Sequence, residues 1–223
     1  MQANGHCLNS YMSIRRPNVE STHFLASLCM SRSIPLLYVS SQRVPALAGL
    51  KVLPPVPVLA EPAKTRDSGY MASRWVSEIF FHKLSEHNHS MVEIHCPCLC
   101  FGDRSPPSGV FGVLRYTRLM RCIPRFTRVE GYVDVKNVDE IARDIMSSAI
   151  SLAGQTNTGI RYRYHSSDRK VTLDDWPEYK EELCGEPFEV LELPQWNPLI
   201  ATYLEGVIEK EELALFPYLG ESL

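Results

Sequence analysis

The stretch GYMASRWVSEIFFHKL, residues 69 to 84, sets a tyrosine and a cation four residues apart, Tyr70 and Arg74. On a helix that spacing puts both side chains on one face. A phenol has an unperturbed pKa of about 10, and a neighbouring cation can tune it to give up its proton near neutral pH. A carbonyl that accepts a hydride needs such a proton donor, and a serine hydroxyl that holds its oxygen completes the set. Ser41, which ends the apolar run IPLLYVSS (34 to 41), is the candidate. On spacing alone, roughly one such pair in ten is catalytic, and the ordinary reading is a surface tyrosine beside a solvated arginine.

Two other groups of reactive side chains occur. HCPCLC places Cys96, Cys98 and Cys100 on one side of a strand, a conceivable soft-metal site. A structural zinc site needs C-x-x-C or wider spacing and a second ligand pair, so no metal is assigned and the cysteines read as strand residues. His82, His95 and the HNHS run (87 to 90) read as helix-end and loop histidines, with His82 four residues before Glu86.

The elements that must position these residues follow from periodicity. Residues 17 to 33 predict a helix, capped by Asn18 or Ser21, with Phe24, Leu25 and Leu28 as its apolar stripe. Residues 34 to 41 read as a buried parallel strand whose C-terminal end opens into a site. A proline-rich loop (42 to 68), a helix (69 to 87, with Trp75 and Ile79 toward the core) and a strand (91 to 99) follow. Strand, loop, helix, strand is the crossover unit of an α/β sheet. Farther on, a helix is expected at 108 to 122. Another starts at Val138 behind an Asn137 cap, with Ile141, Ile145 and Ala149 on one face. GIRYRYHSS alternates like a strand, and TLDDWPEYKEELCG reads as a helix stopped by glycine. The expected division is a sheet region, 1–107, and a small, mostly helical lobe, 108–223.

The bulk composition sets limits. A chain of 223 residues suffices for one fair-sized domain or a domain plus a small lobe. A net charge of −3 gives no electrostatic footprint for nucleic acid or an anionic membrane. The longest apolar stretch, VPALAGLKVLPPVPVLA, is interrupted by Lys51 and four prolines and cannot span a bilayer as a helix. The first residues lack the apolar core of a signal peptide. Seven cysteines without framework spacing suit a reducing compartment, so the expected location is cytoplasmic.

NGHCLNSYMSIRRPNVESTHFLASLCMSRSIPLLYVSS, DSGYMASRWVSEIFFHKLSEHN, VEIHCPCLCFGD, VLRYTRLMRCIP and GYVDVKNVDEIA occur in an order that resembles one known group. It is the terminal thioester reductase domain of fungal hybrid polyketide synthase–nonribosomal peptide synthetases, an extended short-chain dehydrogenase/reductase. The resemblance covers residues 4 to 205. It implies a Rossmann-like α/β sheet, NADPH as cofactor, and a carrier-protein-bound acyl or peptidyl thioester released as an aldehyde or alcohol. It assigns carbonyl polarisation to Ser41, proton donation to Tyr70 and the place of the family's lysine to Arg74. It also implies cofactor contacts at Tyr70, Arg74, Pro97, Cys98 and Leu99, and a substrate-binding role for 108–223. Some relatives ignore the cofactor and release a tetramic acid by Dieckmann cyclisation.

The chain departs from that pattern in two ways. Arg74 keeps the lysine's charge but not its geometry, and Cys96 and Cys98 flank Pro97 where the family reads Arg-Pro-Ser. No G-x-G-x-x-G phosphate turn is present, and GVFG (109 to 112) supplies only part of one. The expected fold is therefore a Rossmann-like sheet without its N-terminal half. Its apolar edge at IPLLYVSS would be open to a complementary N-terminal chain. Three functions fit the departures: impaired reductive release, cofactor-free cyclising release, or an inactive, partner-binding remnant.

Overall fold

A computed structural model describes residues 10–47, 69–87, 91–101, 117–126, 131–153 and 158–206. In chain order its elements are α1 (Tyr11–Arg15), a π-helical turn (Arg16–Glu20), α2 (Ser21–Met30), β1 (Leu36–Val39), α3 (Val44–Leu47), α4 (Gly69–His87), β2 (Met91–Pro97) and β3 (Leu99–Phe101). There follow β4 (Cys122–Arg125), β5 (Tyr132–Val133), β6 (Val135–Asn137), α5 (Val138–Leu152), β7 (Gly159–His165), β8 (Val171–Thr172), α6 (Trp176–Cys184), β9 (Glu189–Glu192) and α7 (Leu193–Gly206). The chain forms two compact units, Met1–Cys100 with Lys136–Ser167, and Phe101–Val135 with Asp168–Leu223. Among the described residues no helix is long and apolar enough to cross a membrane.

The first unit is built on a parallel sheet of order β1-β2-β7. The expected crossover is present: β1 passes through α4 and returns as β2, in register from Leu36 with Val92 to Val39 with His95. β7 pairs with β2 along its whole length, Met91 with Gly159 through Pro97 with His165. This pairing puts residues 136–167 in the sheet unit, whereas the sequence reading placed everything past 107 in the lobe. The expected boundary at 107/108 lies outside the described residues. Strand alternation sorts the side chains: Val92, Ile94 and Cys96 of β2 pack with Leu36, Ala26 and Phe81 in one core. Met91, Glu93 and His95, which alternate with them, are also buried, so β2 is covered on both faces, as a central parallel strand should be.

The N-terminal helix differs from expectation. It begins at Tyr11 behind a Ser10 cap whose hydroxyl accepts the Ser13 N–H at 3.3 Å, not at Asn18 or Ser21. Pro17 brings no N–H to the ladder, and the run continues through a π turn in which Ser21 N–H reaches Arg16 O. Asn18 points inward instead, donating to Ser73 Oγ at 3.1 Å. Phe24, at 62% exposed, Leu25 and Leu28 face outward, while Ile14, Val19 and Ala26 are buried. Trp75 and Ile79 of α4 are half-buried.

α5 starts as expected, with Asn137 Oδ1 accepting the Asp139 N–H at 2.8 Å. Ile141 is buried, Ile145 half-buried and Ala149 exposed. In the second unit, β4 pairs in parallel with β9 and β5 antiparallel with β8. Ile123, Val171 and Trp176 form its core, so strand pairing accompanies the helices expected there. Gly185, at φ +66°, ends α6 in the left-handed conformation that glycine adopts at least cost. Of the helix expected at 108 to 122, residues 117–120 are helical and β4 begins at Cys122; the rest lies outside the described residues. The glycines of GVFG lie outside them too.

Candidate active site

α4 carries Tyr70, Arg74 and Glu78 one helical turn apart, which aligns them toward the C-terminal end of β1. Asn18 and the Tyr70 carbonyl both bond Ser73 Oγ, the latter at 2.7 Å, so the π turn secures the first turn of α4. Arg74 is the hub. Its Nη2 donates to Tyr70 Oη at 2.7 Å. Its Nη1 donates to Val39 O at 2.7 Å and to Tyr38 Oη at 3.2 Å. The guanidinium carbon lies 4.8 Å from the Tyr70 ring centroid and 5.5 Å from that of Tyr38, within cation–π range. Burial disfavours the guanidinium charge, but the charges and hydrogen bonds of Tyr38 and Tyr70 more than offset this and hold Arg74 above its ordinary pKa. A guanidinium can only donate, so Tyr70 Oη is the acceptor and its own O–H remains able to donate.

The two serines that end the strand run divide their work by parity. Leu36, Tyr38 and Ser40 share the face toward α4, and the buried Ser40 Oγ donates to Glu78 Oε1. Tyr162 Oη donates to Glu78 Oε2 at 3.1 Å. Burial pushes the Glu78 carboxyl up to about 7, against the opposing pull of these two hydrogen bonds and Arg74. Ser41, of the other parity, accepts the Arg43 N–H at 3.2 Å, and its hydroxyl proton meets no acceptor among the described residues. No hydrogen bond links Ser41 with Tyr70 or Arg74 among the described residues; Arg74 reaches β1 at Val39, two residues earlier.

The expected cofactor stretch lies at the same strand ends. Gln42 N–H donates to Pro97 O at 3.1 Å, and Cys98 N–H to His165 O at 2.9 Å. The Ser41 backbone bonds the Cys96 thiol, which burial pushes up and keeps protonated. Cys96 faces the core with Ile94, while Cys98 and Cys100 are half-buried. Leu99 opens β3. Elsewhere, His82 Nε2 lies 3.6 Å from Glu86 Oε1, as its spacing suggested.

The donors present fit a dinucleotide at one point. Both Nη1 protons of Arg74 and one Nη2 proton are committed, and Nε is buried without an acceptor among the described residues. One Nη2 N–H remains to meet a hydroxyl, where a lysine ammonium would bring rotatable donors on a flexible stem. Sequence reasoning missed Tyr38, Ser40 and Glu78. Continuing the four-residue step from Arg74 reaches Glu78, and counting by two from Leu36 reaches Tyr38 and Ser40.

No protein-family model matches the chain. By sequence it is 44% identical over 236 residues to a hybrid PKS-NRPS synthetase of Penicillium oxalicum, an alignment that covers 98% of the chain. It is 37% identical over 236 residues to the cyclo-acetoacetyl-L-tryptophan synthase of Aspergillus oryzae. The chain spans only 6% of the length of either relative. By structure it matches the terminal R domain of the myxalamid PKS-NRPS pathway with a TM-score of 0.70 at 23% identity, covering 95% of this chain and 52% of that one. It also matches DesIV, a dTDP-glucose 4,6-dehydratase of Streptomyces venezuelae solved with NAD and TYD, with a TM-score of 0.61 at 16% identity over 86% of this chain and 58% of that one. The sheet thus has the Rossmann-like α/β fold of these solved structures, and the chain is similar in sequence to a short segment of fungal hybrid PKS-NRPS synthetases and in fold to about half of a terminal R domain.

Proposed function

We propose that this segment carries the acid–base residues of a reductase-like release site that acts on an acyl or peptidyl thioester held by a carrier protein. The observation that supports this reading most is the 2.7 Å bond from Arg74 Nη2 to Tyr70 Oη. It leaves the phenol proton free to move to a substrate carbonyl oxygen and keeps a cation against the phenolate that results. Ser41 donates its uncommitted hydroxyl proton to the same oxygen. Glu78, through Ser40, fastens the end of β1 to α4 and so fixes where Ser41 stands. NADPH, when bound, supplies the hydride for reduction to aldehyde or alcohol; Arg74 Nη2 and the Pro97–Leu99 backbone are the groups to hold it. The second unit, 101–135 with 168–223, is the proposed lobe for the acyl chain, and a complementary chain completing the sheet is the proposed neighbour of β1. β1 is an edge of the described sheet, and Ile34 and Val39 are exposed.

A second reading has its own support. Most of the Arg74 donors are committed within the protein, which weakens its grip on a cofactor, and one relative is named for a cyclo product. In this reading Tyr70 and Arg74 hold the tethered chain while a base removes a proton from the carbon between its carbonyls; that carbon attacks the thioester, and the carrier thiolate leaves and takes up a proton.

Product analysis separates the readings. A carrier-bound β-ketoacyl-aminoacyl thioester is incubated with the protein, with and without NADPH. Aldehyde or alcohol formed only with NADPH supports reductive release. A tetramic acid formed without it supports cyclisation. Unchanged linear thioester in both arms contradicts both and leaves the inactive remnant.

A further inference from the structure

A second buried polar cluster lies on the sheet face opposite the one that meets α4. Glu93 and His95 of β2 are fully buried and His165 of β7 nearly so. They form a line of three contacts. His95 Nε2 lies 3.0 Å from Glu93 Oε1, His95 Nδ1 lies 2.7 Å from His165 Nε2, and His165 Nδ1 lies 3.3 Å from Asp144 Oδ2 of α5. The two rings are nearly parallel, 13° apart, with centroids at 5.0 Å. Asp144 is half-exposed and borders, with Ser147, Ser151 and His165, a pocket of about 450 Å³.

Each contact needs one proton between its two heavy atoms. Two neutral imidazoles carry one proton each, so with both carboxylates ionised one contact goes without. His95 Nε2 is buried 3.0 Å from Glu93 Oε1 and meets no other acceptor among the described residues. One added proton fills all three contacts, whereas a second would set N–H against N–H between the rings. The charges around the line bear on that proton from each packed element. Glu93 and Asp144 attract it. Arg161 and Arg163 of β7, 3.3 and 2.7 Å from Glu93 oxygens, and Lys136 of β6, 3.8 Å from Asp144, oppose it. Ser148 of α5 also donates to Glu93.

The line also ties together the candidate site. The His165 carbonyl accepts the Cys98 N–H and the Gln42 side-chain amide, both at 2.9 Å. Gln42 Nε2 donates to Ser166 Oγ as well. Thus the residue that follows Ser41 and the strand end at Pro97–Cys98 hang on the backbone of a titratable ring.

We propose that His95 and His165 store a single shared proton, taken up from solvent at the Asp144 end, and that its uptake tightens the ends of β1, β2 and β7 around the candidate site. Uptake supplies the proton that the line lacks, makes its contacts to the carboxylates charge-assisted and draws β7 against β2. The test is independent of release activity. In a protein labelled with ¹⁵N, the ring nitrogens of His95 and His165, the Cys98 amide and the Gln42 side-chain amide are followed by NMR from about pH 8 to about pH 5. Burial lowers both histidines from 6.5, so the step lies below that value. Both rings move together through one single-proton step, and the Cys98 and Gln42 signals move with the same midpoint. In His165→Gln those two signals stay flat; should that variant not fold, Asp144→Asn, which removes the attracting carboxylate, lowers the shared midpoint. Rings that titrate separately, or a step that leaves Cys98 and Gln42 unmoved, overturn the proposal.

Discussion

Arg74 decides what the site can do. A lysine in its place would offer a mobile point charge; the planar fork instead stacks against two tyrosines and bonds both phenols and a strand carbonyl. Tyr70→Phe removes the transferable proton and lowers product formation by about 10²- to 10⁴-fold, while the thermal midpoint barely moves, because the ring stays in place. That comparison is read from product yield beside a melting curve. Glu78 gives a test in pH. Its folded pKa of about 7 lies above the unfolded 4.5, so the folded state holds a proton that the unfolded chain releases first. Stability conferred by that proton is fully present below about pH 4.5 and is lost as pH rises through about 7, a swing on the order of 3 kcal/mol. Glu78→Gln keeps the shape without the charge, so it is more stable than the natural chain at pH 8 and loses this slope. Equal stabilities at pH 8 would contradict it.

At the scale of elements, the pattern of strand and helix was readable where one signal dominated. The helix at 69–87, the strand before it, the Asn137 cap and the Gly185 stop follow from periodicity and cap chemistry alone. What the sequence hid are facts of tertiary packing. Phe24 and Leu28 share a helical stripe, but α2 buries Ala26 instead, a choice that depends on which neighbour it meets. The inward turn of Asn18 follows from a π turn at Pro17, which no local propensity announces. Ser41 stands as the proposed site serine, and the part of Ser40, which by strand parity faces α4 and locks Glu78, shows only in the packing. Two substitutions test this packing. Phe24→Ser changes stability by no more than about 0.5 kcal/mol, as a surface change should. Ala26→Leu, into a fully buried position, costs about 1–3 kcal/mol by overpacking. Chemical denaturation midpoints measure both. On the opposite sheet face, the buried histidines have depressed pKa values. Burying their charge costs the fold as a whole, so stability present above pH 6.5 is lost as pH falls below it even while the shared proton tightens the strand ends locally, a slope that His95→Gln flattens.

At the scale of the molecule, three parallel strands with their covering helices form one unit, and small paired strands with α6 and α7 form the other. The chain spans about half of the R domain it resembles; among the described residues β1 is an edge of the sheet, and the residues proposed for proton transfer stand at the C-terminal strand ends, where open α/β sheets place their ligands. The central claim is that Tyr70, held and polarised by Arg74, donates the proton that completes release. The most direct measurement is single-turnover release of a carrier-bound thioester with NADPH present, comparing the natural chain with Tyr70→Phe and Arg74→Met. The account predicts that both variants lose at least about a hundredfold in the rate constant while still folding. Release at an undiminished rate by Tyr70→Phe would contradict it.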